Sequence, residues 1–266
     1  MNSPVLTQLI GGLASGDVEI VDLTTRLSAN TPTLQLPAPF ANLVDFGLEQ
    51  VSAYDEPGPF WKHHNIRTGE HVGTHLDAPV HWVTGKGGRD VSQIPMSRLV
   101  GPAAVVDVSA EVGKDPDFLL EVEHIRAWEA EHGPLENGSW LLLRTGWDQY
   151  GHDQDLFLNT DENGSHTPGV SAECARWLAE DSPVSGFGVE TVGIDAGNAM
   201  SLDPPFPVHH HLLGNDRYGV TSLRNLAQLP PTGAVVVVSP LPILDGTGSP
   251  ARVIAFVDRR AEEPRA

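Results

Sequence analysis

The sequence predicts one α/β domain, residues 1–266, with more strand than helix. Three observations carry that expectation. Short runs rich in Val, Ile and Leu recur along the chain, each bounded by Gly, Pro, Ser or Asp, as buried strands are. Stretches with helical spacing of apolar residues are fewer. The 27 Gly and 22 Pro are spread through the chain, which reads as many short elements joined by tight turns rather than a disordered block.

In chain order, residues 4–15 (PVLTQLIGGLAS) are weakly helical. Strands are expected at 18–24 (VEIVDLT), 63–68 (HHNIRT) and 103–109 (AAVVDVS). A helix follows over 121–133, with Ile125 and Trp128 three apart on one face and Gly133 closing it. The run SWLLLRTG (139–146) is the most apolar strand. The segment 169–181 reads as a helix that starts on Ser171 and carries Ala175, Leu178 and Ala179 on one side. A strand is expected at 191–195 (TVGID), then a short helical turn at 207–216 (PVHHHLLGND) ending at Gly214. Strands at 234–240 (AVVVVSP) and 252–257 (RVIAFV) complete the set. The first residues and 258–266 read as loosely held ends.

A chain of 266 residues with 40% hydrophobic content can bury a sizeable core. Residues 1–15 carry no Lys or Arg, and Gly11 and Gly12 break their apolar run, so no signal peptide is expected. No stretch approaches the roughly 18 apolar residues of a membrane helix. The lone cysteine, Cys174, excludes an intramolecular disulfide and a thiolate-rich metal site. These features point to the cytoplasm. A formal net charge of −19 repels phosphate backbones and anionic membranes, so nucleic acid and membrane partners are not expected.

The chemistry concentrates in residues 69–83, GEHVGTHLDAPVHWV, where His71, His75, Asp77 and His81 fall within eleven positions. A continuous helix conflicts with Gly73 and Pro79. The even offsets would place all four side chains on one face of a strand. At about 3.3 Å per residue, however, His71 and His81 would then lie roughly 33 Å apart. The segment must therefore curl if the four groups act together, and Gly69, Gly73 and Pro79 allow it. Within the curl, His75-x-Asp77 makes sense as a short extended piece with both side chains on one side. His71 returns to them through Gly73. Two imidazoles and a carboxylate suit a divalent ion with open positions, and His81 beyond the Pro79 bend suits a proton carrier. A lone buried histidine is more often a core residue, and capping or turn roles are the competing explanation. Three histidines and an aspartate separated by bend residues favour a metal or proton-transfer site. Trp61 and Trp82 flank the motif and are candidates for lining a pocket, although such rings are more often plain core.

The segment HVGTHLDAPVH fits the pattern His-x-Gly-Thr-His-x-Asp-x-Pro-x-His at all seven fixed positions. It resembles the cyclase family of kynurenine formamidase-like metal-dependent hydrolases. VDLTTRLS, LLLRTGW, TPGVS, VGIDAGNAM, HHHLLGND and GTGSPARVIAF resemble further blocks of that family in the same order, so the likeness spans roughly residues 19–257. The resemblance implies a swivelling β/β/α fold. It implies that His71, His75 and Asp77 are metal ligands and that His81 donates and accepts the proton. The family's formamidases hold a second metal in part by a later His and by a Glu twelve residues after it. Here His209 stands at the first position and Thr221 at the second. A threonine hydroxyl cannot replace an anionic ligand. One divalent ion is therefore expected, Mn²⁺ before Zn²⁺, as in the isatin hydrolase branch of the family. Ser222 then resembles a serine on that branch's water-lined proton path, and His209 is expected beside the substrate or behind the ligands.

The function so implied is hydrolysis of a small neutral cyclic amide, isatin to isatinate, by metal-activated water with His81 shuttling the proton. Deformylation of N-formylkynurenine is the alternative reaction. A metal-binding protein without turnover is the alternative of another class, and His81 argues against it. Related proteins form dimers or larger assemblies, and a homo-oligomer is expected here.

Overall fold

The computed structural model describes residues 4–36 and 38–261. The frame is a sheet whose strands are β1 (Val18–Asp22), β4 (His75–Asp77), β5 (Val100–Asp107), β6 (Trp140–Arg144), β7 (Gly186–Val189), β8 (Tyr218–Thr221), β9 (Ala234–Pro240) and β10 (Gly248–Asp258). Their order is β1-β10-β9-β5-β6-β7-β8-β4, and β4 pairs again with β10. That extra pairing closes seven strands into a barrel, with β1 added outside against β10. Strands β5, β6, β7 and β8 run parallel, and the pairings of β4, β9 and β10 are antiparallel. A separate two-stranded ribbon, β2 (Gly47–Ala53) with β3 (Lys62–Arg67), stands apart from the barrel sheet.

Alternation along the strands builds two cores. Ala103, Val105, Trp140, Leu142, Leu76, Val220, Val236 and Val253 point to one face and fill the barrel. Ala104, Val106, Leu141, Leu143, Phe187 and Val189 point the other way, against helices α2 (Val122–His132) and α3 (Ala172–Glu180). Ile125 and Trp128 of α2, and Cys174, Ala175, Leu178 and Ala179 of α3, cover that outer face. Ser171 caps α3 by accepting the N–H of Cys174. Both faces of the central strands are thus buried, which explains why SWLLLRTG reads as one continuous apolar run. Helix α1 (Val5–Ser15) precedes β1. No described helix is long and apolar enough to cross a membrane.

Two expectations are corrected. Residues 191–195 form bends, and the strand is Gly186–Val189 just before them. A glycine at alternate positions normally weakens a strand, which hides GFGV in the sequence. Inside the barrel it has a purpose: a Cβ at Gly186 would lie 2.5 Å from the Trp140 ring, and one at Gly188 would lie 2.6 Å from Leu142. Of the end expected to be loosely held at 258–266, the described residues 258–261 are held. Asp258 closes β10, a turn of 3₁₀ helix follows at Arg259–Ala261, and the Arg259 N–H donates to the Asp17 carbonyl at 2.9 Å. Residues 1–3 and 262–266 lie outside the described residues.

Candidate active site

The motif curls as its glycine and proline require. Residues 70–74 are bends, His75–Asp77 is β4, and Pro79–His81 is a 3₁₀ turn. Gly73 has φ +63°, in the left-handed region, and a Cβ there would also lie 2.5 Å from Leu27. In β4, Leu76 points into the barrel core while His75 and Asp77 point together to the other side. Strand β4 is held between β8 and β10, where Thr221 lies opposite His75 and Gly248 opposite Asp77.

Asp77 is the centre of the site and is 1% exposed. Its Oδ1 lies 2.7 Å from His71 Nδ1 and 3.4 Å from His75 Nε2, and its Oδ2 lies 4.0 Å from His209 Nε2. The His81 ring stacks on His71 with centroids 3.9 Å apart and lies 5.5 Å from His209. One donor atom each from His71, Asp77 and His81 fits within 4.8 Å of the others. No Lys or Arg pairs with Asp77 among the described residues. Burial opposes ionisation of Asp77, but hydrogen bonds and charge from His71 and His75 outweigh it and hold the carboxyl well below the usual range.

Hydrogen bonds fix where most of the imidazole protons sit. His75 Nδ1 lies 2.7 Å from the Gly73 carbonyl, which can only accept, so Nδ1 carries a proton, and Nε2 faces Asp77 Oδ1 at 3.4 Å. His209 Nδ1 lies 2.5 Å from Asp195 Oδ2, which leaves Nε2 aimed at the site. Asp195 also accepts the N–H of Val208 and of His209, so the same carboxylate caps the helix that carries His209. Burial opposes protonation of His209, but its bond to Asp195 and the charges of Asp195 and Asp77 outweigh burial and raise its pKa. His81 differs: among the described residues its ring has no hydrogen-bond partner. Burial, opposed by the charge of Asp77 and reinforced by the neighbouring imidazoles, pushes it down to about 3. It is therefore neutral at neutral pH.

The structure brings His71, His75, Asp77, His81, His209 and Trp82 together. The Trp82 ring lies 4.7 Å from His209 and 5.5 Å from Phe206, so these rings form an aromatic wall beside His81. Thr221 Oγ1 is 3.1 Å from His75 Nδ1. Ser222, the next residue, is buried, and its carbonyl accepts the hydroxyls of Thr74 and Thr25. Trp61 is placed elsewhere: it follows the turn between β2 and β3, is 49% exposed, and contacts Phe60 and His63. Sequence reasoning missed Asp195, Glu70 and Thr247 as supports of the histidines. The blocks VGIDAGNAM and GTGSPARVIAF contain two of them, but nothing in their spacing names the partner.

The donor set fits a divalent cation. A buried carboxylate with two imidazole nitrogens turned toward it has no fixed positive charge to compensate it, and nitrogen and oxygen donors of this kind bind divalent metals.

Residues 21–196 match the family model Cyclase. An isatin hydrolase of Roseibium aggregatum is 44% identical over 257 residues, covering 96% of this chain and 97% of that protein. A kynurenine formamidase of Bacillus cereus is 26% identical over 238 residues, covering 89% of this chain and 96% of that protein. The crystal structure of an isatin hydrolase bound to the product analogue thioisatinate matches with a TM-score of 0.93 at 44% identity, covering 96% of this chain and 98% of that one.

Proposed function

The chain belongs to the Cyclase family, and from that premise we propose that it is a metal-dependent hydrolase that opens a small neutral cyclic amide, isatin, to the ring-opened carboxylate, isatinate. The observation that carries the chemistry is the buried Asp77 carboxylate surrounded by His71, His75 and His81 with no Lys or Arg paired to it among the described residues. The choice of substrate rests on the similarity to isatin hydrolase across nearly the whole chain.

His71, His75 and Asp77 hold one divalent ion, Mn²⁺ before Zn²⁺. When bound, the ion lowers the pKa of water towards about 7 and polarises the amide carbonyl. His81, whose ring has no hydrogen-bond partner among the described residues, takes a proton from the attacking water at a ring nitrogen. It passes that proton to the amide nitrogen as the C–N bond breaks. Trp82 and Phe206 offer a flat wall on which a bicyclic substrate stacks. His209 stands beside the reacting centre, and Ser222 lies next to Thr221 on the proposed route of the proton away from it. Thr221 supports the one-ion reading, because the residue across the strand from His75 brings a hydroxyl and no charge. A cytoplasmic homo-oligomer completes the proposal.

A substrate panel with metal analysis tests it. Purified protein should contain close to one equivalent of Mn²⁺ or Zn²⁺, open isatin, and lose that activity to a chelator. Turnover of N-formylkynurenine without turnover of isatin would replace the proposed substrate by the formamidase one. Chelator-resistant activity in metal-free protein would remove the metal from the mechanism.

A further inference from the structure

The nitrogen of His71 that faces away from Asp77 leads into a chain of hydrogen bonds that neither the motif nor the proposed mechanism uses. His71 Nε2 lies 2.9 Å from Thr247 Oγ1, and Thr247 Oγ1 donates to Glu70 Oε2 at 2.6 Å. The Thr247 N–H points to the same carboxylate, 3.3 Å from each oxygen. A hydroxyl has one proton to give, and a carboxylate can only accept. With that proton committed to Glu70, Thr247 accepts from His71, so His71 Nε2 carries a proton.

We propose that Glu70 and Thr247 are positioning residues: their two-step relay keeps a proton on His71 Nε2, so that Nδ1, which donates to Asp77 Oδ1 at 2.7 Å in the metal-free chain, is the nitrogen that gives up its proton to become the ligand when an ion binds. The inference rests on the metal-site reading above for its consequence, though not for the relay itself. Outer partners of this kind fix the tautomer and ring angle of a ligating histidine, and their loss typically weakens metal binding about 10–100-fold.

The relay explains the sequence GTG at 246–248. Thr247 can reach the His71 ring only if its strand comes close to β4. A Cβ at Gly248 would lie 2.6 Å from His71 Cε1 and 2.4 Å from the Leu76 carbonyl oxygen, and a Cβ at Gly246 would lie 3.0 Å from Glu70 Oε1. The Ala78 N–H donates to the Thr247 carbonyl at 3.0 Å, which fixes the backbone on the same side. Two glycines thus admit one hydroxyl between a carboxylate and an imidazole.

The test combines NMR of the histidine side chains with metal titration on purified full-length protein. In metal-free and Zn²⁺-loaded wild type, the His71 Nε2 proton should be visible and slow to exchange. Thr247→Val should lose that signal and bind Mn²⁺ about 10–100-fold more weakly by chelator competition. Glu70→Gln should weaken Mn²⁺ binding in the same direction. Thr247→Ser, which restores the hydroxyl, should recover both readouts, and its folding guards against a Val variant that misfolds. An unchanged Nε2 proton signal in Thr247→Val, or a Thr247→Ser variant as impaired as Val, overturns the relay. Loss of the Nε2 proton in Thr247→Val, with no Mn²⁺ or Zn²⁺ bound by wild type, supports the relay and removes the metal reading instead.

Discussion

Gly248→Ala tests the close approach that builds the site. The added methyl would meet the Leu76 carbonyl oxygen at 2.4 Å and His71 Cε1 at 2.6 Å, about 1 Å inside an ordinary contact. Neither neighbour can step aside cheaply. Leu76 is the middle residue of β4, paired with Ser249 on one side and Val220 on the other. His71 is held at both ring nitrogens. The strand must therefore move from β4, or the imidazole must tilt away from Asp77. Overpacking of this kind costs about 1–3 kcal/mol. At about 2–4 °C per kcal/mol for a chain of this size, the melting temperature of metal-free protein should fall by about 2 to 12 °C. Mn²⁺ affinity should fall as well, because the displaced ring is a proposed ligand. Gly47→Ala is the control, since nothing lies within 4 Å of its added Cβ. The assay is thermal unfolding with chelator present, followed by Mn²⁺ titration. A Gly248→Ala protein that melts within 1 °C of wild type and binds Mn²⁺ equally would refute the packing argument.

Three further outcomes are expected. His81→Ala should lower kcat on isatin by about 10²- to 10⁴-fold while retaining bound metal, measured by steady-state rates and elemental analysis, because the ring supplies proton transfer and not a ligand. Asp195→Ala strips acceptors from the N–H groups of Val208 and His209 and from His209 Nδ1, so unfolding free energy should drop by about 1–3 kcal/mol in a denaturant titration. Burial, with the charge of Asp148, pushes the Glu190 carboxyl up to about 7 against the opposing hydrogen bonds from Thr145 and Gly146. The folded chain then binds more protons than the unfolded one between about 4.5 and 7. The contribution of Glu190 to stability is greatest below 4.5 and declines as pH rises through 7. Glu190→Gln should flatten that decline when melting temperatures are compared at pH 5 and pH 8.

The local shape of the site was legible in eleven residues. Distance along an extended chain forbids His71 and His81 from meeting, so Gly73 and Pro79 had to bend the segment, and they do. The pairing of His75 with Asp77 on one side of a short strand follows from a period of two. The strand at 186–189 was hidden because its glycines answer to Trp140 and Leu142 across the barrel, a demand that no local pattern records. Trp61 shows the reverse error of proximity in sequence. It stands ten residues before His71, yet it sits on the separate ribbon and touches Phe60 and His63.

By itself, the sequence determined which donors exist, that they curl together, and that Thr221 brings no carboxylate. Only the tertiary structure decided how each imidazole is held. Glu70 meets Thr247 across 177 positions, and Asp195 reaches His209 across 14. Closure of the barrel between β4 and β10 brings the first pair into register. The physical reason is the range of the interactions. Backbone bends and strand alternation are set by neighbours in the chain, whereas the proton on a histidine ring is set by whatever acceptor the fold packs against it.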